Sequence, residues 1–191
     1  MALEDRRLRE RDARRRLITA AARTLAEREG WDAVTTRRLS SEIEYSQPVL
    51  YKHFASMEDI AEAVALEGFG ELADALRAAR HSARSPEEAL RSVAHAYSAF
   101  AAENPALYDA MFTRASHLRF GAEDAPAALS AAFTELRAAT EPVAAGRDLE
   151  TLTEVLWAAL HGLTTLAQHD RLRRGRGDER LDLLVAEVGG R

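Results

Sequence analysis

Cysteine is absent from all 191 residues. This excludes disulfides, thiolate zinc sites and thiol redox chemistry, and it fits a reducing compartment. Runs of alternating β-branched residues are missing as well, so strands are not expected. The longest uncharged apolar stretch, 155–169, is too short and too polar to cross a bilayer. The first 16 residues hold seven arginines and no apolar segment, so no secretory leader is expected. No HExxH, GxSxG or glycine-rich phosphate loop occurs. The histidines are His53, His81, His95, His117, His161 and His169, and none stands in ligand spacing with another histidine or a pair of acids. No metal, no cofactor and no enzymatic activity are therefore expected.

What is present forms helices. Ala, Leu, Arg and Glu dominate, and the 47% hydrophobic share is that of a globular protein. The chain reads as all-α, with punctuation marking about nine helices. Residues 14–29 place Leu17, Ile18, Ala21, Ala22 and Leu25 on one face, and Gly30 stops the helix. Leu39 and Ile43 lie one turn apart on a second, short helix. Ser46 caps a third, with Gln47 and Pro48 in its first turn, where a missing amide costs little. Ser56-Met57-Glu58-Asp59 reads as a capping box that opens a fourth.

Ser85-Pro86, Asn104-Pro105 and Asp124-Ala125-Pro126 announce later helix starts. Thr140-Glu141-Pro142 ends one helix, and Asp148 caps a long one reaching about Asp170. Residues 173–178 read as a loop and 181–188 as a short final helix. The charge is uneven: residues 1–60 carry 12 Lys+Arg against 11 Asp+Glu, a net +1, and the rest carry 14 against 20, a net −6. That pattern suits a near-neutral head with basic patches on an acidic body.

Residues 35–54 are the most informative stretch. They predict two short helices joined by a tight turn, the layout of a helix-turn-helix reading head for DNA. Leu39, Ile43, Val49, Leu50 and Phe54 are expected to form its small core, with Trp31 and Val34 closing the edge. The second helix exposes donors and carries almost no acid. The Gln47 amide suits the major-groove edge of adenine, and Pro48 offers an apolar surface for a thymine methyl. Tyr51, Lys52 and His53 suit phosphates, with Lys52 and His53 also able to reach purine acceptors. Thr36 and Arg37 open the preceding helix, whose free amides attract phosphate. Ser46, at the head of the reading helix, is grouped with them.

The same residues resemble the tetracycline-repressor-like (TetR) family of transcriptional regulators. The resemblance rests on Thr35-Thr36-Arg37, Leu39, Ile43, Ser46 and the run Gln47-Pro48-Val49-Leu50-Tyr51-Lys52-His53-Phe54, and it covers residues 12–65. It implies that Thr36, Arg37, Gln47, Pro48, Tyr51, Lys52 and His53 contact DNA. Two positions depart from the family pattern: Glu44 stands where the turn usually has glycine, and Met57 stands where a lysine often reaches a phosphate. The run 6–16 reads as a frayed helix or an arm along the DNA backbone.

The resemblance divides the chain into a helix-turn-helix DNA-binding domain, 1–60, and a helical ligand-sensing and dimerisation domain, 61–191. Trp157-Ala-Ala-Leu-His161-Gly162 resembles the Trp-His-Gly element of one family subgroup. Tyr97, Phe100, Tyr108, Met111, Phe112, His117, Phe120, Trp157 and His161 are the candidates for an effector pocket, and equally for plain core. Two-fold pairing through the helices at 148–170 and 181–188 would present two heads to a pseudo-palindromic operator in double-stranded DNA, with half-sites about 34 Å apart or a multiple of that. Leu152, Val155, Leu156, Leu163 and Leu166 on the first helix, and Leu181, Leu184, Val185 and Val188 on the second, could build that interface or pack within one chain. The expectation is thus a cytoplasmic, homodimeric repressor released by an unknown small molecule, without membrane contact. A helical small-molecule-binding or protein-interaction module without operator binding is the alternative.

Overall fold

The computed structural model describes residues 2–115, 118 and 126–190. It is 81% helical, and the described residues form nine α-helices and no strand. These are α1 (Ala2–Glu29), α2 (Thr36–Glu42), α3 (Gln47–Tyr51), α4 (Met57–Ser82), α5 (Pro86–Glu103), α6 (Pro105–Asp109), α7 (Ala127–Thr140), α8 (Leu149–Gln168) and α9 (Gly177–Gly189). Short 3₁₀ turns occupy Trp31–Ala33 and Glu141–Val143, and a π-turn occupies Ala110–Arg114.

Local chemistry accounts for most boundaries. Ser56 and Ser85 cap α4 and α5 in the same way. Each hydroxyl accepts the amide three residues on, from Asp59 at 3.1 Å and from Glu88 at 3.2 Å. Each of those acids then accepts the amide just before the serine, Ala55 at 3.0 Å and Arg84 at 2.9 Å. Both are variants of the reciprocal capping box. Asp148 accepts the Thr151 amide at 2.9 Å and starts α8. Asn104 does not cap α6 with its side chain. Glu27 of α1 takes that role, accepting the Ala106 and Leu107 amides at 3.1 and 2.9 Å, while the Asn104 side chain accepts from Arg23 at 3.0 Å.

Two helices start earlier than their apolar periodicity predicts. Helix α1 begins at Ala2, because Glu4 and Asp5 sit favourably in its first turn and Arg6 pairs with Glu10 one turn on at 2.8 Å. Helix α9 begins at Gly177, with Asp178 and Glu179 in its first turn. The segment 124–125, expected to precede a helix, lies outside the described residues.

The chain forms two compact units, Met1–Gly68 with Asn104–Arg119, and Phe69–Glu103 with Phe120–Arg191. Helix α4 contributes to both. In the first unit Ile18, Ala22, Leu25, Trp31, Val34, Leu39, Leu50, Phe54, Ile60, Val64, Leu107 and Met111 are buried. Ile43 and Val49, expected in the core, are only half-buried. Leu17, expected beside Ile18, is 45% exposed, because its neighbour occupies the core position. Gly68 admits close packing: a Cβ there would stand 2.8 Å from both Leu107 Cδ1 and Met111 Sδ.

The second unit buries Leu72, Leu76, Leu90, Val93, Tyr97, Leu129, Leu136, Leu156, Leu160 and Leu181. Polar ties cross its helices. Buried Glu135 of α7 accepts from Arg77 at 2.8 Å and from Arg80 at 2.8 and 3.1 Å, both on α4. Burial alone would raise the pKa of Glu135, but the hydrogen bonds from Arg80 and Arg77 outweigh it and hold the carboxyl below its usual range. The Gln168 amide on α8 donates to the Ala101 carbonyl on α5 at 3.0 Å. No helix among the described residues is long and apolar enough to cross a membrane.

Candidate nucleic-acid interface

The reading head is assembled by a capped helix, a tight turn and a second short helix. Thr35 takes an extended backbone, and its hydroxyl accepts the Arg38 amide at 3.3 Å, which starts α2. The helix ends at Glu42, and two residues on Glu44 adopts φ 55°. The Tyr45 amide then donates to the Ser40 carbonyl at 3.0 Å, the six-residue closure of a Schellman motif. Most such positions hold glycine, and a side chain here costs on the order of 1 kcal/mol. Ser46 caps α3 by its backbone geometry, without a side-chain cap bond. Pro48 occupies the first turn, where its absent amide is not needed.

Leu39, Leu50 and Phe54 are buried and hold the two helices together. The other face of α3 turns outward: Ser46, Gln47, Pro48, Tyr51 and Lys52 are exposed, Tyr51 by 55%. Gln47 and Tyr51 lie one turn apart and share a face. Arg37 on α2 is exposed, and Thr36 beside it is half-buried. Among the described residues the side chains of Arg37, Gln47, Tyr51 and Lys52 make no hydrogen bond or ion pair. Neighbouring arginines are occupied: Arg38 pairs with Glu29 at 2.9 Å, and Arg28 with Glu42 at 2.8 Å. The side chains of the sequence-predicted residues Arg37, Gln47, Tyr51 and Lys52 are thus exposed and have no intramolecular partner among the described residues.

His53 is a partial exception. Its ring is half-buried, and Nδ1 is enclosed without a hydrogen-bond partner among the described residues. Burial first, then the charges of Arg14, Arg11, Arg15 and Lys52, push its pKa below the usual imidazole value. Only the outer edge of the ring is available to a ligand.

One residue of the site was not legible in the sequence. Arg15 of α1 donates to the His53 carbonyl at the end of α3, and its guanidinium lies 4.0 Å over the Phe54 ring. It pins the C-terminal end of the reading helix to α1. Nothing in residues 6–16 distinguishes Arg15 from its six arginine neighbours, because its role depends on where α3 docks.

The effector candidates divide between the units. Tyr97, Phe100, Trp157 and His161 belong to the second unit, and Tyr108, Met111 and Phe112 to the first. His117 and Phe120 lie outside the described residues. Trp157 packs edge-on to Phe133 with ring centroids 6.0 Å apart, and Tyr108 packs against Phe112 at 4.6 Å. Burial lowers the pKa of His161. A groove of about 470 Å³ in the second unit is lined instead by Glu87, Glu88, Arg91, Asp182, Val185, Ala186 and Gly189. No group of His, Cys, Asp or Glu among the described residues is arranged to hold a metal ion. Of the candidate dimer residues, Val155 and Leu166 are exposed, Leu152, Leu163, Leu184 and Val185 half-buried, and Leu156, Leu181 and Val188 buried.

Comparison with known proteins accords with this geometry. Residues 18–64 match the family described as bacterial regulatory proteins, tetR family, and residues 90–188 match the tetracyclin repressor-like C-terminal domain. An uncharacterised HTH-type transcriptional regulator of Mycobacterium tuberculosis is 32% identical over 160 residues, covering 80% of this chain and 69% of the relative. Among solved structures, a protein of unknown function from Rhodococcus sp. RHA1 aligns with a TM-score of 0.71 at 25% identity, covering 92% of this chain and 93% of the other. The Bacillus subtilis regulator FadR, solved with stearoyl-CoA, shares the fold with a TM-score of 0.67 at 15% identity, covering 89% and 97%. A matched head and a matched body account for most of the chain, which therefore belongs to the TetR family of dimeric, DNA-binding transcriptional regulators with a ligand-binding C-terminal domain.

Proposed function

We propose that this chain is a cytoplasmic repressor, without enzymatic activity, whose two-fold dimer reads a pseudo-palindromic operator and is released by a small molecule. The observation that carries this reading is the outward face of α3, where exposed Gln47, Tyr51 and Lys52 have no intramolecular partner while Leu50 and Phe54 are buried behind them. Gln47 and Pro48 read base edges in the major groove. Tyr51, Lys52 and the outer edge of His53 meet phosphates, as do Thr36 and Arg37 at the start of α2. Ser46 sets the start of the reading helix.

In this reading, residues 1–60 form the DNA-binding domain and 61–191 the sensing and dimerisation domain. Tyr97, Phe100, Tyr108, Met111, Phe112, His117, Phe120, Trp157 and His161 are the residues on which an effector would act. The FadR fold holds stearoyl-CoA in its own structure, so effectors with a long apolar part are the class to screen first. The dimer forms through the outer faces of α8 and α9, where Val155 and Leu183 are 55% and 63% exposed. Effector binding favours a state with wrongly spaced heads, by as much as its affinity differs between the two states.

Selection of bound genomic fragments by the purified chain tests the reading and names the operator. A symmetric site is expected, and Gln47→Ala is expected to weaken it by about 1–3 kcal/mol while relaxing preference at one base pair in each half. Recovery of no preferred sequence, or a Gln47→Ala variant with intact affinity and preference, would overturn it.

A further inference from the structure

We propose that the first half of α1 is a second DNA-binding element of the head, in which Arg11 and Arg14 grip backbone phosphates beside the C-terminal end of the reading helix α3. The inference rests on the reading of the α3 face given above.

The anchor is Arg15. Its contacts to the His53 carbonyl and the Phe54 ring fix which side of α1 faces the end of α3. Arg11 lies one turn before Arg15, Arg7 two turns before, and Arg14 beside it, so the four share one side of the helix. Asp12 projects about 100° to one side of Arg11, and Glu10 about 100° to the other, where it lies one turn before Arg14. Glu10 is also held by Arg6 at 2.8 Å.

Arg11 and Arg14 are exposed and form no ion pair among the described residues, unlike Arg28 and Arg38 nearer the core. Their charge is felt at the reading helix, where together with burial, Arg15 and Lys52 it disfavours protonation of His53. The face of α3 adds no acid of its own. The result is a group of exposed cations, Lys52, Arg14 and Arg11, around His53 at the end of α3. It abuts the face already assigned to DNA and is complementary to a phosphate chain.

The element is a helix rather than a loose arm. From Ala2 to Arg15 it extends about 20 Å at 1.5 Å per residue. Residues 4–14 are all exposed, so packing does not explain their order or their arginines. A helical scaffold pre-orders the side chains, so fewer degrees of freedom are lost on binding than with a flexible tail. Because phosphates carry no sequence information, the element adds affinity and register without changing which bases are preferred.

The test uses the full chain with the double variant Arg11→Ala/Arg14→Ala. Dissociation constants for the selected operator and for an unrelated duplex are measured across a potassium chloride series. Each lost phosphate contact lowers the salt slope by about 0.9, hence by ~1.8 per head and ~3.6 for a dimer. Affinity for both duplexes is expected to fall by the same factor, with base preference unchanged. Arg11→Lys/Arg14→Lys is expected to retain the wild-type slope, and hydroxyl-radical footprints of the wild type to show flanking protection that the alanine variant loses. Thermal unfolding is expected to be unchanged, since both side chains are exposed. If the alanine variant keeps the wild-type slope and footprint, or loses preference at particular base pairs, the proposal is wrong. Failure of the wild type itself to bind any operator would instead remove the reading of α3.

Discussion

Arg15→Ala is the most informative single change in the head. It removes a charge-assisted hydrogen bond to the His53 carbonyl and a guanidinium–ring contact at 4.0 Å from Phe54. Hydrogen bonds to charged groups contribute about 1.5–3 kcal/mol, and a partly desolvated cation–π contact about 0.5–2 kcal/mol. Arg15 keeps part of its exposure, so the lower part of each range applies, and the expected loss is roughly 2–3 kcal/mol. That is a large fraction of a typical stability of about 5–15 kcal/mol.

The chain has two tryptophans, Trp31 in the first unit and Trp157 in the second. Urea unfolding in a Trp157→Phe background therefore reports the head through Trp31 fluorescence. The midpoint is expected to fall without a change in the slope against denaturant. Operator affinity is expected to fall as well, because the end of α3 loses its tie to α1. Arg15→Lys keeps the charge but lacks the planar fork, so it is expected to recover only part of the loss. A change under about 0.5 kcal/mol in Arg15→Ala, the range of ordinary surface substitutions, would refute the pinning role.

Three further outcomes follow from other parts of the molecule. Glu44→Gly relieves a side chain held at φ 55° and is expected to raise stability by about 0.5–1 kcal/mol in thermal unfolding, a lower melting temperature counting against strain at the turn. Glu135→Gln loses the charge that Arg77 and Arg80 share, and is expected to cost about 1–3 kcal/mol at neutral pH. Because the folded-state pKa of Glu135 is depressed below 4.5, its contribution is complete above that pH and lost as pH falls through the lower folded value, so a pH-independent gap between variant and wild type would contradict the assignment. His53 is depressed below 6.5 in the folded head, so folding resists its protonation and stability falls as pH drops below that value. His53→Gln is expected to flatten part of that fall in melting temperatures taken between pH 7.5 and 5, and identical profiles would exclude the effect.

Much of the architecture is readable from local chemistry. Ser56, Ser85 and Asp148 announce helix starts because a short polar side chain can reach amides that the helix itself leaves unpaired. Thr140-Glu141-Pro142 marks where α7 gives way to a 3₁₀ turn: Glu141 keeps helical backbone, but Pro142 has no amide to continue the α-helical bonding. The reading helix stands out because inward Leu50, with Phe54 just beyond the helix end, and the outward donors alternate over a single turn. Where apolar periodicity is silent, as in residues 2–13 of α1 and at the start of α9, the early helix starts escape it. There order comes from side-chain pairs and favourable end charges rather than from a buried stripe.

The sequence by itself determined the all-helical build, the position of the reading head and the kinship that residues 35–54 carry, since these depend on neighbours within a few turns. Only the tertiary structure decided which arginine pins α3, which carboxylate caps α6 and which of the head's positive charges are taken by Glu29 and Glu42. Arg15 meets His53 across 38 positions, and Glu27 meets Leu107 across 80. Such pairings depend on how helices dock, and docking is set by the summed burial of many side chains rather than by any local pattern.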